Sequence, residues 1–227
     1  MAQLVVAASG YPGSLGLLVM AHARERGHKV TELHDLRNQE AVRAALARTD
    51  AVVLIPRRGN AWQDAHGAVV TLAEAADTLD TAPHLVLLSS FAVGHGPMHP
   101  LNRTDPSLLP GRVAAEHATR TGRLPYTIVR PVWFSEDPAR SHALTLTQDP
   151  RTDGMISRAD LAATLIAAVE QPAARGTTFG LYNEPGPPLT DWASDFAQLR
   201  PDDVGDDNRT TRKGLGSPSV SHPHPAR

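Results

Sequence analysis

The sequence predicts an α/β fold in which a doubly wound parallel sheet is covered by helices on both faces. Short, continuous apolar runs such as residues 4–8 and 51–55 are typical of parallel strands that are buried on both faces. Segments of helical character separate these runs, and this alternation of strands and helices indicates a parallel sheet. Glycine-rich and serine-rich segments follow two of the strands, at the edge where such sheets bind ligands.

The elements follow one another in a regular order. After the first strand, a helix is predicted at residues 15–26, and it stops at Gly27, a common C-terminal signal. The other predicted strands cover residues 30–33, 51–55, 85–88, 126–129 and 178–182. The other predicted helices cover residues 40–48, 68–79, 112–121 and 160–170.

The 227 residues fit one folded domain with an appended tail. From about Pro201 the composition turns to proline, glycine, serine and charge, with almost no apolar side chains to bury. Such a segment cannot offset its conformational entropy by packing. We therefore predict a domain at residues 1–200 and a disordered tail at residues 201–227.

Charge and composition exclude several classes of protein. The net charge is −2 and there is no cysteine, which argues against a disulfide scaffold and a thiolate metal site, and no metal site is predicted. The basic residues are dispersed, so the chain offers no field for nucleic acid. No segment is long and apolar enough to span a bilayer, and the chain enters its first strand directly. A cytoplasmic protein that does not bind a membrane is expected.

The stretch SGYPGSLG, residues 9–16, predicts a dinucleotide-binding loop. Gly10, Gly13 and Gly16 lie between a strand and a helix, where glycines allow a tight turn, close approach to a pyrophosphate and close helix packing. The helix N-terminus then presents free amides to the phosphates. The predicted cofactor-binding residues are Gly10, Tyr11, Pro12, Gly13, Ser14 and Leu15, together with Ile55 and Ser89 at the ends of later strands. A plain flexible turn is the alternative.

Five ordered segments resemble the atypical short-chain dehydrogenase/reductases, and in particular their NmrA-like NAD(P)H-binding branch. The first is the glycine loop, which resembles TGxxGxxG with Ser9 in place of threonine. The others are RERGHKVTEL from Arg24, LLSS at residues 87–90, GRLPYTIVRP at residues 122–131 and ISRADLAATLIAAVEQP from Ile156. The resemblance covers residues 3 to about 183. It implies a Rossmann-type fold, an NAD(P)H cofactor, and a small C-terminal substrate lobe built from segments around 91–111 and 131–190.

The chain departs from this family after the second predicted strand. Leu33 is followed at once by His34-Asp35-Leu36, so about one helix–strand unit of the family is missing. In the doubly wound order the missing strand is an edge strand, which can be lost without opening the centre of the sheet. The sheet is therefore expected to be shortened on the side of the adenosine.

Asp35 is the predicted adenosine-side residue of the cofactor site. It lies nineteen residues after Gly16, close to where a carboxylate binds the adenine ribose of NAD. A second interpretation is that it matches the aspartate of the family's GDL segment, which lies next to adenine, and a third is a solvated turn carboxylate. A carboxylate there repels the 2′-phosphate of NADP, whereas Arg37, Arg57 and Arg58 could compensate. The choice between NAD and NADP therefore stays open.

The family's catalytic pair, Tyr-x-x-x-Lys, is replaced. If Glu116 is used to align the segment, the matching positions are Leu108 and Arg112. Leucine cannot transfer a proton, whereas Arg112 stays charged and could hydrogen-bond ribose hydroxyls, so it is kept as a catalytic candidate. Pro110 and Gly111 disfavour a helix through this point, so we predict that the helix begins near Arg112 and that Leu108 lies in a loop away from the cofactor.

Other residues are candidates for the chemistry. Ser90 lies where the family's serine orients a substrate carbonyl, although ordinary hydrogen bonding at a strand end is the alternative for Ser89 and Ser90. His95 could replace the missing acid, since histidine titrates near neutral pH, as could a bound water. Trp133 and Phe134 fall where the family builds its substrate pocket, with aromatic packing as the alternative.

Three functions are compatible with these residues. The first is an NAD(P)-dependent oxidoreductase, reductase-like, that acts on a small organic molecule. The second is a non-catalytic NmrA-like sensor that binds the dinucleotide and contacts a protein partner, which loss of the tyrosine would favour. The third is a relative that folds and binds no cofactor.

Overall fold

The computed structural model describes residues 1–8, 15–57, 60, 62–96, 98–103, 105–188 and 191–203. Five predicted cofactor-binding residues lie outside the described residues, namely Gly10, Tyr11, Pro12, Gly13 and Ser14. Arg58 and residues 204–227 of the predicted tail also lie outside them.

The described part of the chain contains nine strands and six α-helices. The strands are β1 (Gln3–Ala8), β2 (Lys29–Glu32), β3 (Ala51–Ile55), β4 (His84–Leu88), β5 (Tyr126–Pro131), β6 (Trp133–Ser135), β7 (Ala143–Thr147), β8 (Met155–Ser157) and β9 (Thr177–Glu184). The helices are α1 (Leu15–Glu25), α2 (Gln39–Leu46), α3 (Ala68–Ala76), α4 (Leu108–Thr121), α5 (Arg158–Glu170) and α6 (Trp192–Ala197). A π-helical turn, Trp62–Gly67, leads directly into α3. None of the described helices is long and apolar enough to cross a membrane.

The main sheet has the strand order β2-β1-β3-β4-β5-β9-β7. All neighbouring strands in it are parallel except β7, which runs antiparallel to β9. The predicted doubly wound α/β fold is confirmed. In the described chain β2 pairs with β1 alone and forms the edge, as expected if an outer strand is missing. A separate pair, β6 and β8, lies within the segment predicted to form the lobe.

Apolar cores lie on both faces of this sheet, which explains the continuous apolar runs of the sequence. Along β1, Leu4 and Val6 point into the core shared with α1 and α5. Val5 and Ala7 point into the opposite core, shared with α2 and α3. Successive side chains of a strand alternate between faces, so a strand buried on both faces is apolar at nearly every position.

The prediction for the start of α4 is wrong. The helix begins at Leu108, not near Arg112, and runs unbroken through Pro110 and Gly111. Pro110 is the third residue of the helix, where its missing N–H would have had no partner within the helix. The Gly111 N–H donates to the Ser107 carbonyl at 2.8 Å, so a helical hydrogen bond forms directly after the proline.

The ISRAD segment joins the β6–β8 pair to the main sheet. Ser157 caps α5, where its Oγ accepts hydrogen bonds from the N–H groups of Ala159 and Asp160. The buried Asp160 carboxylate accepts from the Arg140 N–H at 2.8 Å and from Asn183 Nδ2 at 3.0 Å. This part of the family resemblance therefore has a structural basis.

The folded unit extends past the boundary predicted at residue 200. The Asp202 carboxylate accepts from the N–H and Oγ1 of Thr178 at 2.8 and 2.6 Å. It also accepts from the Tyr126 hydroxyl at 3.1 Å and from Arg120 Nε at 3.3 Å. The Asp202 N–H donates to the Gly176 carbonyl at 2.7 Å. Residues 201–203 thus belong to the fold, and β5 is anchored to them through Tyr126.

Candidate functional site

Two cavities lie at the carboxyl ends of the central strands. The larger, of about 670 Å³, lies beyond the ends of β1, β2 and β3. The smaller, of about 160 Å³, lies beyond the ends of β3, β4 and β5 and is bordered by β6. Ile55 and Pro56, at the end of β3, line both. This is the edge at which doubly wound sheets bind ligands.

The larger cavity has a charged mouth of mixed sign. Asp35 is exposed, and its Oδ1 accepts a hydrogen bond from the Arg37 N–H at 2.9 Å. Arg37 Nη2 donates to Gln63 Oε1 at 3.2 Å, and Arg57 Nε lies 4.0 Å from Asp64 Oδ2. The predicted Asp35 therefore lines this cavity together with two arginines.

Sequence reasoning missed one wall of the larger cavity. That wall consists of Gln63, Asp64 and Gly67 from the π-helical turn, and Ala68 and Thr71 from α3. These positions belong to no motif, and they reach the cavity because the turn carries the chain back over the end of β3.

The smaller cavity collects most of the predicted residues that the structure describes. It is lined by Leu15, Ile55, Pro56, Leu88, Ser89, Ser90, Phe91, Leu101, Leu108, Arg112, Pro131, Val132, Trp133 and Phe134. The predicted residues among them come from five separate parts of the chain. The position of the site at the strand ends agrees with the sequence analysis, whereas the role of each residue stays a prediction.

Aromatic side chains form the outer wall of the smaller cavity. Phe91 packs edge-on against Trp133, with ring centroids 5.2 Å apart. The guanidinium of Arg158 lies 4.7 Å from the centroid of the Phe134 ring, a cation–π contact. Trp133 keeps 40% of its surface exposed. A large part of the Trp133 side chain is therefore open to solvent beside the cavity.

Beneath Ser89 lies a buried ionic cluster centred on Glu116. Ser89 Oγ donates to Glu116 Oε1 at 2.5 Å. Arg130 donates to both carboxylate oxygens, at 2.9 and 2.5 Å, and Arg120 Nη2 donates to Oε2 at 2.8 Å. Burial alone would raise the pKa of Glu116, but the hydrogen bonds and charge of Arg130, the charge of Arg120 and the Ser89 hydroxyl together hold this pKa below its ordinary value. The carboxylate is therefore ionised at neutral pH.

Arg112 is buried and tied to the ends of two strands. Its Nη1 donates to the Leu88 carbonyl, and its Nη2 donates to the Pro56 carbonyl at 3.1 Å. The guanidinium thus fastens α4 to the ends of β4 and β3, at the floor of the smaller cavity.

Leu108 lines the same cavity, one helical turn before Arg112. The prediction that Leu108 lies in a loop away from the site is wrong, because α4 begins at this residue and only 8% of its surface is exposed. Residues four apart lie on one helix face. The two positions that match the family's tyrosine and lysine therefore both face the site.

His95 is exposed and is not among the described residues that line the smaller cavity. Its Nε2 lies 2.9 Å from the Pro150 carbonyl oxygen, and its ring is tilted against His99 at 5.6 Å between centroids. The His95 ring also packs edge-on against Phe91, with ring centroids 6.2 Å apart, so it lies behind the cavity lining and not in it. Its role as a proton donor stays a prediction.

A family model described as NAD(P)H-binding matches residues 20–172. No curated protein matches the chain.

Among solved structures, the oxidoreductase ylbE from Lactococcus lactis is 15% identical, with a TM-score of 0.69 over 86% of this chain and 95% of its own. ChuY, an anaerobillin reductase from Escherichia coli O157:H7, is 17% identical, with a TM-score of 0.65 over 82% of this chain and 100% of its own. A short-chain dehydrogenase/reductase from Veillonella parvula DSM 2008, in complex with NADP, is 14% identical, with a TM-score of 0.63 over 82% of this chain and 97% of its own. At these identities the likeness shows a shared fold.

Proposed function

Because the chain belongs to the NAD(P)H-binding family whose model matches residues 20–172, we propose that it is an NAD(P)H-dependent reductase of a small organic substrate. The observation that carries this proposal is the pair of cavities that meet at Ile55 and Pro56. A dinucleotide has two halves joined by a pyrophosphate. The larger cavity suits the adenosine half, and the smaller cavity suits the nicotinamide and the substrate.

The residues of the larger cavity fit the adenosine half of such a cofactor. Its volume of about 670 Å³ is within the usual range for ligand pockets, and it opens beside Ala8, the residue before the glycine loop. Asp35 is placed to accept from a ribose hydroxyl, and Arg37 and Arg57 are placed to neutralise phosphate charge. Gly10 and Gly13 would give the pyrophosphate close access to the backbone, as the motif predicts.

The smaller cavity supplies position and a water-poor environment. The bound cofactor would supply the hydride, so the protein has to orient the reacting groups and keep bulk water away. Leu108, Phe91 and Val132 give apolar walls. Ser90, half-buried beside them, is placed to donate a hydrogen bond to a substrate carbonyl. We propose that the proton that completes a reduction comes from a bound water or from His95, whose ring packs against the cavity residue Phe91.

The exposed face of Trp133 favours a flat, conjugated substrate. The smaller cavity is too small for a large molecule, so such a substrate would extend over the indole at its mouth. ChuY, which shares this fold, is an anaerobillin reductase. Conjugated carbonyl compounds, including linear tetrapyrroles, are therefore the first substrates to test.

A second function is favoured by Leu108. This residue faces the cavity where the family has its tyrosine, and it carries no ionisable group. A dinucleotide-binding sensor without turnover, which contacts a protein partner, fits that replacement.

Calorimetric titration with NADH and NADPH tests the proposal first. We expect at least one of them to bind, and Gly13→Val to abolish binding while the thermal unfolding transition persists, since a side chain would block the pyrophosphate. Absence of binding to both cofactors would refute the reductase and the sensor together. Cofactor oxidation with a panel of quinones, enones and tetrapyrroles then separates the two, because a sensor binds and shows no turnover.

A further inference from the structure

Two neighbouring serines at the end of β4 line the smaller cavity, and their hydroxyl groups are bonded in opposite ways. Ser89 Oγ donates to Glu116 Oε1 at 2.5 Å. Ser90 Oγ instead accepts a hydrogen bond from the Ala92 N–H at 3.2 Å. A hydroxyl group has one proton and two lone pairs, so each of these bonds restricts what the serine can offer to a ligand.

The direction of the Ser89 bond is fixed by the state of Glu116. Each oxygen of this buried carboxylate already accepts a hydrogen bond from the Arg130 guanidinium, and Oε2 accepts another from Arg120. Two guanidinium groups keep the carboxylate ionised, and an ionised carboxylate can only accept. The proton between Ser89 and Glu116 therefore belongs to Ser89, and only the lone pairs of Ser89 can face the cavity.

Ser90 has the complementary capacity. One lone pair of its Oγ is occupied by the Ala92 N–H, and its proton meets no acceptor among the described residues. Ser90 is also half-buried, more accessible than Ser89, of which 5% is exposed. The hydroxyl of Ser90 can therefore turn towards a ligand oxygen without breaking a bond.

We propose that Glu116 holds Ser89 as a hydrogen-bond acceptor towards the smaller cavity, beside the Ser90 hydroxyl that the proposed function already assigns to the substrate carbonyl. The part that concerns the substrate rests on the proposed function. Glu116 is then a positioning residue that acts through Ser89. The cavity floor offers a donor at Ser90 beside an acceptor at Ser89, so it selects a carbonyl that carries an N–H or O–H group next to it.

The direction of the hydrogen bond between Ser89 and Glu116 can be tested in the protein without any ligand. A buried hydroxyl proton held by a carboxylate exchanges slowly and gives a separate downfield proton resonance. We expect such a resonance in the wild type, its loss in Ser89→Ala and its retention in Ser90→Ala. Loss in Ser90→Ala with retention in Ser89→Ala, or no such resonance in the wild type, would overturn the assignment of the proton. Because no cofactor is present, this outcome is independent of the proposed function.

Glu116→Gln tests whether the carboxylate is the cause. The amide keeps the shape of the side chain and removes its charge, so we expect the resonance to disappear while the backbone amide spectrum stays dispersed. An unchanged resonance would contradict the role of Glu116. If this variant does not fold, the matched pair Ser89→Ala and Ser90→Ala still decides the polarity.

The selection by Ser89 is tested by the division of effects between kcat and KM. With a conjugated carbonyl substrate and NADPH, we expect Ser90→Ala to lower kcat by about 100-fold, the usual size for loss of one donor to a reacting oxygen. We expect Ser89→Ala to raise the KM of a carbonyl substrate with an adjacent N–H or O–H group by about tenfold, and to change the KM of the same carbonyl without that group less than about twofold. An equal change of KM for both substrates, or a larger fall of kcat in Ser89→Ala than in Ser90→Ala, would refute the proposal. Failure of the wild type to bind NADPH would instead count against the proposed function.

Discussion

Leu108 and Arg112 lie one turn apart on α4, and both side chains face the smaller cavity. The helix that would carry a tyrosine and a lysine in the family is therefore kept in place, although both side chains have changed. Leu108 adds an apolar wall, and Arg112 ties α4 to the ends of β3 and β4. Each of these roles leads to a separate prediction.

Leu108→Tyr should raise the rate of carbonyl reduction. The phenol would point into the cavity from a helix position that already faces it, and a positioned general acid typically contributes about 100-fold. The initial rate of NADPH oxidation with a conjugated carbonyl substrate measures the effect. Leu108→Phe is the matched control, because it adds the ring without the hydroxyl. Equal rates for the two variants would show that the helix does not place a phenol within reach of the substrate.

Arg112→Met should destabilise the fold. The Leu88 and Pro56 carbonyl oxygens would lose their charged donor at the buried ends of two strands, and an unsatisfied buried group costs about 1–3 kcal/mol. We expect the free energy of unfolding in urea to fall by that amount. Arg112→Lys should recover only part of the loss. Its ammonium group is still a charged donor, but it cannot present the paired N–H groups of a guanidinium to two carbonyl oxygens. Wild-type stability of Arg112→Met would contradict the fastening role.

The sequence predicts the sheet better than it predicts the site. Apolar runs identify β1, β3 and β4 because these strands are buried on both faces, whereas β5 contains the buried polar residue Thr127 and has a less regular pattern. By contrast, β7 is a partly exposed edge strand with two threonines, and β6 and β8 have three residues each, so no periodic pattern marks them. These strands form through tertiary contacts, which no local sequence pattern shows.

Two features of α4 show where sequence reasoning fails. Propensity places the helix start after Pro110, whereas the first turn tolerates proline because its N–H groups need no helical partner. The bond between Ser89 and Glu116 joins residues 27 positions apart, and no local pattern reveals it. The position of Ser89 and Ser90 at the end of a strand was predictable. The direction of the hydrogen bonds made by their hydroxyl groups was not.

His84 should make the protein less stable in mild acid. Burial, together with the charge of Arg175, lowers the pKa of His84 to about 4, although a hydrogen bond to the Tyr126 backbone opposes the shift. Between pH 6.5 and 4 the unfolded chain therefore binds a proton at this histidine that the folded protein does not. Proton binding to the unfolded chain therefore lowers the free energy of unfolding as the pH falls through this window, by about 2 kcal/mol between pH 7 and pH 5.

Urea unfolding at pH 7 and pH 5 measures the effect of His84. His84→Gln is the control, because the amide can still hydrogen-bond Thr127, which lies 3.0 Å from His84 Nε2, and does not titrate. The wild type should lose about 2 kcal/mol more than the variant between the two pH values. An equal loss in both proteins would assign the acid sensitivity to other groups.

Asp35→Asn should shift cofactor preference towards NADPH. The change removes the carboxylate that repels a 2′-phosphate and leaves Arg37 and Arg57 at the mouth of the larger cavity. For exposed charges we expect the ratio of the NADH and NADPH dissociation constants to change by roughly threefold to tenfold. Glu40→Gln gives the same change of charge on α2, away from the lining of this cavity, and should leave the ratio unaltered. An unaltered ratio in Asp35→Asn would place the ribose elsewhere.

The C-terminal boundary can be located by two truncations. A chain that ends after Asp203 keeps the Asp202 carboxylate on Thr178, Tyr126 and Arg120, so it should melt within about 2 °C of the full chain. A chain that ends after Arg200 loses these bonds and leaves the partly buried Arg120 with one carboxylate partner fewer. The loss should be about 1–3 kcal/mol, or roughly 3–10 °C in Tm for a domain of this size.

Asp202→Ala in the full chain separates the carboxylate from the length of the chain. It should reproduce most of the loss seen on truncation after Arg200, because the same acceptor is removed from Thr178 and Tyr126. If Asp202→Ala is as stable as the wild type while the shorter truncation melts early, the stabilisation comes from the backbone of residues 201–203, where the Asp202 N–H bonds the Gly176 carbonyl. If both truncations melt early, residues beyond Asp203 pack on the domain, and the composition that predicted a disordered tail is misleading there.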